Sequence, residues 1–278
     1  MKLPRIVWFR NDLRLRDNAA LSEAARGGHP IIPFFSIDPN HPLVLGEAQE
    51  WWLSLSLEAL AKELAPCRLI IRSGDTTASL RKLIDETGAE GVYANRLYTP
   101  DGYESGDAVK KELPLQTFAS GLLVEPWEVE KQGGGPFHVF TPFYRKARAT
   151  YHHRKPLPKP TLTPYTARLA SEPLPSCGAK WSKKLGAYWT PGEEAARAKL
   201  SHFSKTALSG YDSQRDFPGV DGTSQLSPHL HFGELSPMQV LDSIDAAKYQ
   251  TFESELFWRE FGHHLLYIHR KLATEPLD

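Results

Sequence analysis

Between Tyr211 and Gly233 the chain reads YDSQRDFPGVDGTSQLSPHLHFG, a stretch dense in hydroxyls, glycines and charges. Gly222-Thr223-Ser224 offers backbone amides and two hydroxyls in a tight turn. Ser227-Pro228 has the pattern of a helix N-cap followed by proline in the first turn. Amide hydrogens and hydroxyls gathered at a helix start suit a bound anion, a diphosphate among them. The same residues also suit a helix that needs only its cap. His229 and His231 alternate instead of sharing a helical face, and no carboxylate or cysteine completes a ligand set, so no metal is expected here.

A second group is Glu255-Leu256-Phe257-Trp258-Arg259-Glu260-Phe261. On a helix, Phe257, Phe261, Leu265, Ile268 and Leu272 make one apolar stripe, while Glu255, Trp258 and Gly262 fall on another face. Glu255 and Arg259 have the favourable i,i+4 polarity. This fits a surface ion pair beside a half-buried tryptophan. It also fits an aromatic platform beside a carboxylate, which is what a base taken out of a duplex needs: a flat apolar surface and a hydrogen-bonding group. A third group, Trp8 to Asn18 (WFRNDLRLRDN), follows the apolar pair Ile6-Val7. Open α/β sheets place ligands at the carboxyl ends of their strands, so the charges there point to a ligand or to a solvated turn that pairs with itself.

Short β-branched or aromatic runs alternate with helical patterns and set these groups in place. Strands are expected over 5–9, 31–37, 68–71, 91–94 and 116–118, and helices over 18–26, 48–64, 77–87 and 102–113. Alternation of this kind implies a doubly wound, Rossmann-like α/β domain with a parallel sheet, to about residue 130. Gly133-Gly134-Gly135-Pro136 and the prolines of Lys155–Pro175 read as a surface linker over 131–190. The glycines make no Walker loop, because no Gly-Lys-Ser/Thr follows. From 191 to 278 the strands disappear. Helices are expected over 191–203, from the capping box Ser236-Pro237-Met238-Gln239 to about Ala247, and over 252–272. Glu193 and Glu194 sit in a first turn, where the helix dipole favours acids.

Lys plus Arg equals Asp plus Glu, 33 of each in 278 residues, so a nucleic-acid surface has to be a local patch. Two cysteines, Cys67 and Cys177, form no disulfide framework and are too few for an iron–sulfur cluster. The start lacks a signal-peptide core, and no apolar run approaches about eighteen residues. A cytoplasmic protein without a membrane span is expected.

WFRNDLRLRDN matches WFR-x-DLRL-x-DN, the opening signature of the DNA photolyase/cryptochrome family, and the chain resembles that family along nearly its whole length. The resemblance implies an antenna-binding α/β domain followed by the first part of an all-helical FAD-binding domain. The family's RDFP, G-T-S-x-L-S and FGxxSP stand here at Arg215–Pro218, Gly222–Ser227 and Phe232–Pro237. Tyr211, Thr223, Ser224, Gln225, Leu226 and Ser227 are thereby implied to contact the phosphates of a folded FAD. Gln225 stands where many members carry arginine. Arg215 is implied to lie near a DNA phosphate. The ELxWREF motif implies that Trp258 stacks on a pyrimidine dimer and Glu255 hydrogen-bonds it. The DNA surface so implied comprises Arg215, Glu255, Leu256, Phe257, Trp258, Arg259, Glu260, Phe261 and Gly262. AQEWWLSLSLEAL (48–60) and FHVFTPFYRKA (137–147) also look like family segments, but on physical grounds they read as core helix or sheet edge.

The implied activity is light-driven electron transfer from reduced FAD that splits cyclobutane pyrimidine dimers in ultraviolet-damaged DNA. The alternatives are a cryptochrome-type blue-light receptor and an isolated α/β nucleotide-binding module left by truncation. An antenna chromophore (folate, deazaflavin or FMN) would lie near the loop Asn95–Glu104, but the residues do not assign one. The chain ends at Asp278, before the family's G-x-T-G-x-P-x-V-D-A-x-M-R-x-L and M-H-N-R stretches. A truncated chain, a fragment or a subunit completed by a second polypeptide is therefore expected, binding FAD weakly or not at all alone and not repairing DNA. On the same reading, Phe257, Phe261, Leu265 and Ile268 are expected to find few packing partners downstream.

Overall fold

The computed structural model describes residues 2–38, 45–178, 181–272 and 274–277. Strands β1 (Arg5–Phe9), β2 (Pro30–Ile37), β3 (Ile70–Ser73), β4 (Val92–Asn95) and β5 (Leu115–Phe118) form a parallel sheet in the order β3-β2-β1-β4-β5. Helices α1 (Ala19–Ala25), α2 (Glu47–Glu63), α3 (Thr76–Thr87) and α4 (Pro100–Glu112) connect them. Successive side chains of a strand point to opposite faces, and in β1 both sets are apolar. Val7 and Phe9 pack with Leu21 of α1 and Trp52 of α2. Ile6 and Trp8 pack with Leu80 and Leu83 of α3 and Val109 of α4. This is the expected doubly wound domain, and each expected strand and helix in it lies within about two residues of its place.

The expected linker is mostly built structure. β6 (Thr163–Pro164) pairs parallel with β2. Beyond it, Ile71 N donates to Ser171 Oγ at 2.9 Å and Glu172 N donates to Ile71 O at 2.9 Å. Ser73 Oγ donates to Glu172 at 2.6 Å. The segment thus covers the edge strand β3, whose backbone groups would otherwise face solvent unpaired. Prolines serve there because an edge-covering strap needs few donors. Residues 140–150 form α5 (Phe140–Thr150), which belongs to the helical layer.

That layer continues with α6 (Ser182–Leu185), α7 (Glu193–Thr206), α8 (Tyr211–Gln214), α9 (Ser227–His231), α10 (Pro237–Asp242) and α11 (Gln250–Ile268). The Ser236 capping box forms as read: Ser236 Oγ accepts from Gln239 N at 3.0 Å, and Gln239 Oε1 accepts from Ser236 N at 2.8 Å. α10 stops well before Ala247. There Asp245 Oδ1 accepts from Ala247 N at 3.1 Å, a local bond that competes with the helix. α11 stops at Ile268, short of Leu272. Its apolar stripe does find cover, from upstream rather than downstream. Phe143 lies 5.1 Å from Phe261 and Tyr144 5.3 Å from Phe257, ring centre to ring centre. Phe257 and Phe261 are buried, and Leu265 and Ile268 half-buried. Among the described residues no helix is long and apolar enough to cross a membrane.

From Asp12 to Asn18 the charged stretch is neither a solvated turn nor an open ligand loop. Asp12, Arg14, Asp17 and Asn18 are buried where the two layers meet. Arg14 donates to Gly233 O (2.9 Å), Asp17 O (2.9 Å), Ser120 O (2.8 Å) and Ser120 Oγ (2.7 Å). Asp17 accepts from Ser236 Oγ and Arg154 Nη1, both at 2.5 Å. Glu193, at the start of α7, accepts from Leu15 N at 2.6 Å and Arg16 N at 3.1 Å. Gly233 has φ +68°, and a Cβ there would collide with the Asn11 carbonyl, so only glycine allows so close an approach. Charges at a strand end have become the bolt between the sheet domain and the helices.

Candidate functional site

α11 is pinned from behind. Glu260 Oε2 accepts from Leu123 N at 2.7 Å and Val124 N at 3.3 Å. His264 Nε2 accepts from Phe137 N at 3.1 Å, and its Nδ1 lies 3.3 Å from Pro126 O. The crossover segment 123–137 therefore fixes the helix rotation, and Glu255, Trp258 and Gly262 come to lie on its outward side. Leu256, Phe257, Glu260 and Phe261, which the resemblance places at a DNA surface, are buried. Their side chains build the helix's inner face, and the residues of this motif that stay open to solvent, fully or in part, are Glu255, Trp258, Arg259 and Gly262.

Glu255 does not pair with Arg259. Its Oε1 accepts from Arg215 Nη1 at 2.5 Å, whereas Arg259 Nη1 turns to Glu260 at 3.0 Å. A buried carboxylate needs a counter-charge more than a half-exposed one, and the buried Glu260 takes Arg259. α8 brings Arg215 to Glu255, because the Tyr211 ring is wedged edge-on against Phe252 of α11 (5.1 Å, 82°) and Phe203 of α7 (5.9 Å, 88°). The hydrogen bond it donates to Glu255 holds the Arg215 guanidinium above its ordinary pKa. Beside this pair the Trp258 indole is 48% exposed and lies flat against Phe140.

Burial pushes the Glu260 carboxyl up to about 7, against the pull of Arg259 and the two amides. Its unfolded counterpart titrates near ~4.3, so the folded chain binds this proton more tightly. The contribution is therefore full at low pH and is lost as pH rises from about 4.5 to about 7, by about 3 kcal/mol. Burial holds His263 down to about 3 and lowers His231 and His264, so these titrate in the opposite sense. The measure is thus the difference between wild type and Glu260→Gln in urea-unfolding free energy. We expect the variant to lose the fall across that window; parallel curves would contradict it.

The second cluster is the turn at 222–227. Gln225 has φ +50° and Leu226 follows in αR, so a left-handed residue precedes a right-handed one. Successive amide hydrogens then converge into a concave nest suited to an anion. Thr223, Gln225 and Ser227 are exposed, Ser224 is half-buried, and Leu226 anchors the turn in the helical core. Among the described residues, neither the hydroxyls of Thr223, Ser224 and Ser227 nor the amides of Thr223 and Ser224 have a hydrogen-bond partner. Ser227 is the first residue of α9, not its cap; Leu226 is. The set fits a diphosphate by donor count and by exposure. Gln225 bonds Asp221 (3.1 Å) and Lys199 Nζ (2.9 Å), so α7 supplies a cation where Gln225 itself carries none. Lys199 escaped the sequence reading: it lies 26 residues before Gln225, and nothing local to either residue signals the pairing.

The stretch Asn95–Glu104, expected as a loop, runs from the carboxyl end of β4 into the first turn of α4, beside the end of β1, where the strand order reverses. Arg10 stacks on Trp8 there, and its Nε and Nη1 are buried without hydrogen-bond partners, as is the Tyr103 hydroxyl.

The family model for DNA photolyase matches residues 5–161. The chain is 41% identical to a deoxyribodipyrimidine photo-lyase of Agrobacterium fabrum, over 98% of its own length and 61% of that protein's. It is 36% identical to Cryptochrome-1 of Arabidopsis thaliana over 86% of its length and 37% of the relative's. The crystal structure of a bacterial class III photolyase from Agrobacterium tumefaciens superposes with a TM-score of 0.93 at 40% identity, covering 99% of this chain and 61% of that one. The chain thus spans about three-fifths of the photolyases it matches.

Proposed function

Since the chain belongs to the DNA photolyase family, we propose that it carries the lesion-binding face and the diphosphate grip of a light-dependent DNA-repair flavoprotein. The observation that carries this reading is an open tryptophan face beside a charge pair, Trp258 with Arg215–Glu255. When bound, FAD supplies the photoexcited electron that splits a cyclobutane pyrimidine dimer. The chain's own residues do the rest. Trp258 offers its free face to the unstacked pyrimidines, and Glu255 accepts their N–H hydrogens. Arg215, freed from Glu255, binds a strand phosphate, with Arg259 and Gly262 beside it.

At 222–227, the nest amides with Thr223, Ser224 and Ser227 hold the diphosphate, Tyr211 and Leu226 support them, and Gln225 with Lys199 borders it. An equilibrium flavin titration tests this part. Thr223→Ala with Ser227→Ala is expected to weaken FAD binding about tenfold while leaving riboflavin, which lacks the diphosphate, unaffected. Equal losses for both flavins would count against the grip.

An antenna chromophore, on this reading, sits at the switch point, where the unpartnered Arg10 and Tyr103 groups await a polar ligand. Absorbance of the extract from purified protein distinguishes folate, deazaflavin and FMN.

The decisive experiment joins the chain to the region its longer relatives carry beyond it, illuminates the flavin-loaded protein with ultraviolet-damaged oligothymidylate and follows dimer loss against a dark control. No light-dependent loss from that extended protein with flavin bound would remove repair. The second reading, favoured by the likeness to Cryptochrome-1, is a blue-light receptor; it predicts flavin photochemistry without preference for damaged strands.

A further inference from the structure

The segment 137–147 reads as packing only, yet it supplies the ring that backs Trp258. Phe140, first in α5, stacks on the indole with ring centres 3.6 Å apart and planes 8° from parallel. Tyr144, one turn later, continues the stack at 5.6 Å and 16°. The inner end is tied down: the Tyr144 hydroxyl donates to Glu253 at 3.0 Å, and Arg148 Nε donates to the same carboxylate at 3.2 Å. Phe261 meets Phe140 and Trp258 edge-on, each at 5.9 Å. Three rings thus stand in file, and the file ends in a half-exposed indole.

We propose that Phe140 is a positioning residue for lesion recognition: backed by Tyr144, it holds the Trp258 indole in one orientation with a single face open to the unstacked pyrimidines. The physical case has two parts. A tryptophan on an exposed helix face has two free side-chain torsions, and binding must freeze them; a ring already stacked loses less freedom. Filling the inner face also leaves only one side on which a base can stack. This inference rests on the lesion-binding reading of Trp258.

The test measures affinity of the full chain for ultraviolet-damaged and undamaged strands of one sequence. Phe140→Leu is expected to lower affinity for the damaged strand about three- to tenfold and leave the undamaged strand unchanged. Phe140→Tyr, which keeps the ring, is expected to retain wild-type discrimination. In a Trp258→Ala background, Phe140→Leu is expected to change nothing further. A merely structural role would weaken both strands alike, or would persist without Trp258; either result overturns the proposal. Should Phe140→Leu unfold, Phe140→Met keeps the volume without the ring and faces the same criteria. If Trp258→Ala alone reduces discrimination and Phe140→Leu does not, the lesion reading stands and this inference falls. If wild type does not discriminate, or Trp258→Ala leaves discrimination intact, both fall.

Discussion

Arg14→Met is expected to destabilise the chain by about 3–5 kcal/mol, the loss that follows when one member of a buried polar network is removed. The guanidinium is 1% exposed and donates to carbonyls of three separate segments, Asp17, Ser120 and Gly233. Methionine matches much of its volume but none of its donors, so those acceptors stay buried and unpaired. Asp17 also loses a nearby positive charge, keeping Arg154 and Ser236. For a chain of this size each kcal/mol moves the melting temperature by about 2–4 °C, so a fall of roughly 6–20 °C is expected. Chemical denaturation should show a matching shift in midpoint. A surface substitution such as Lys62→Met, on the outer side of α2, is expected to change little. A shift of less than about 1 kcal/mol for Arg14→Met would mean that the interlock contributes little to holding the layers together.

The second large effect concerns recognition. Trp258→Ala is expected to reduce affinity for ultraviolet-damaged DNA about ten- to hundredfold, from ~1–3 kcal/mol of stacking lost per base. Undamaged strands should bind as before, since no base leaves the stack there. Arg215→Ala is expected to behave differently. It should weaken both strands alike and lower the slope of log affinity against log salt by about one, the mark of a lost phosphate contact. Arg215 is ion-paired to Glu255 without DNA, so wild type must give up that pair to reach a phosphate, which makes the loss on Arg215→Ala smaller for both strands. Filter binding across a salt series resolves the two patterns. If Arg215→Ala changed only the damaged strand, its role would be lesion contact and not backbone anchoring.

Much of the site was legible in one dimension because its parts are local. Gly222 to Ser227 is a turn and a helix start, and both its hydroxyls and its exposed backbone follow from residue type. Trp258 and Glu255 separate from Phe257 and Phe261 by helical period alone, and the structure keeps that division. The reading failed where a partner came from far along the chain. Glu255 pairs with a residue forty positions earlier, and Glu260 turns inward to amides more than a hundred positions away. Leu256 and Glu260 carry a motif's signature yet face inside, which no local pattern distinguishes from facing out.

By itself, then, the order of residues determined what repeats at short range: the alternation of strand and helix, the parallel sheet it entails, the capping box at Ser236 and the amphipathic face of α11. These rest on backbone geometry and periodicity, which act within a few residues. Tertiary structure decided everything that depends on closing long loops. It made WFRNDLRLRDN a buried bolt, turned the proline-rich stretch into an edge cover, and brought Phe140 against Trp258 and Arg215 against Glu255. The physical reason is that a buried charge must be paired and an apolar face must be covered, while residue types alone do not say which distant group will do it.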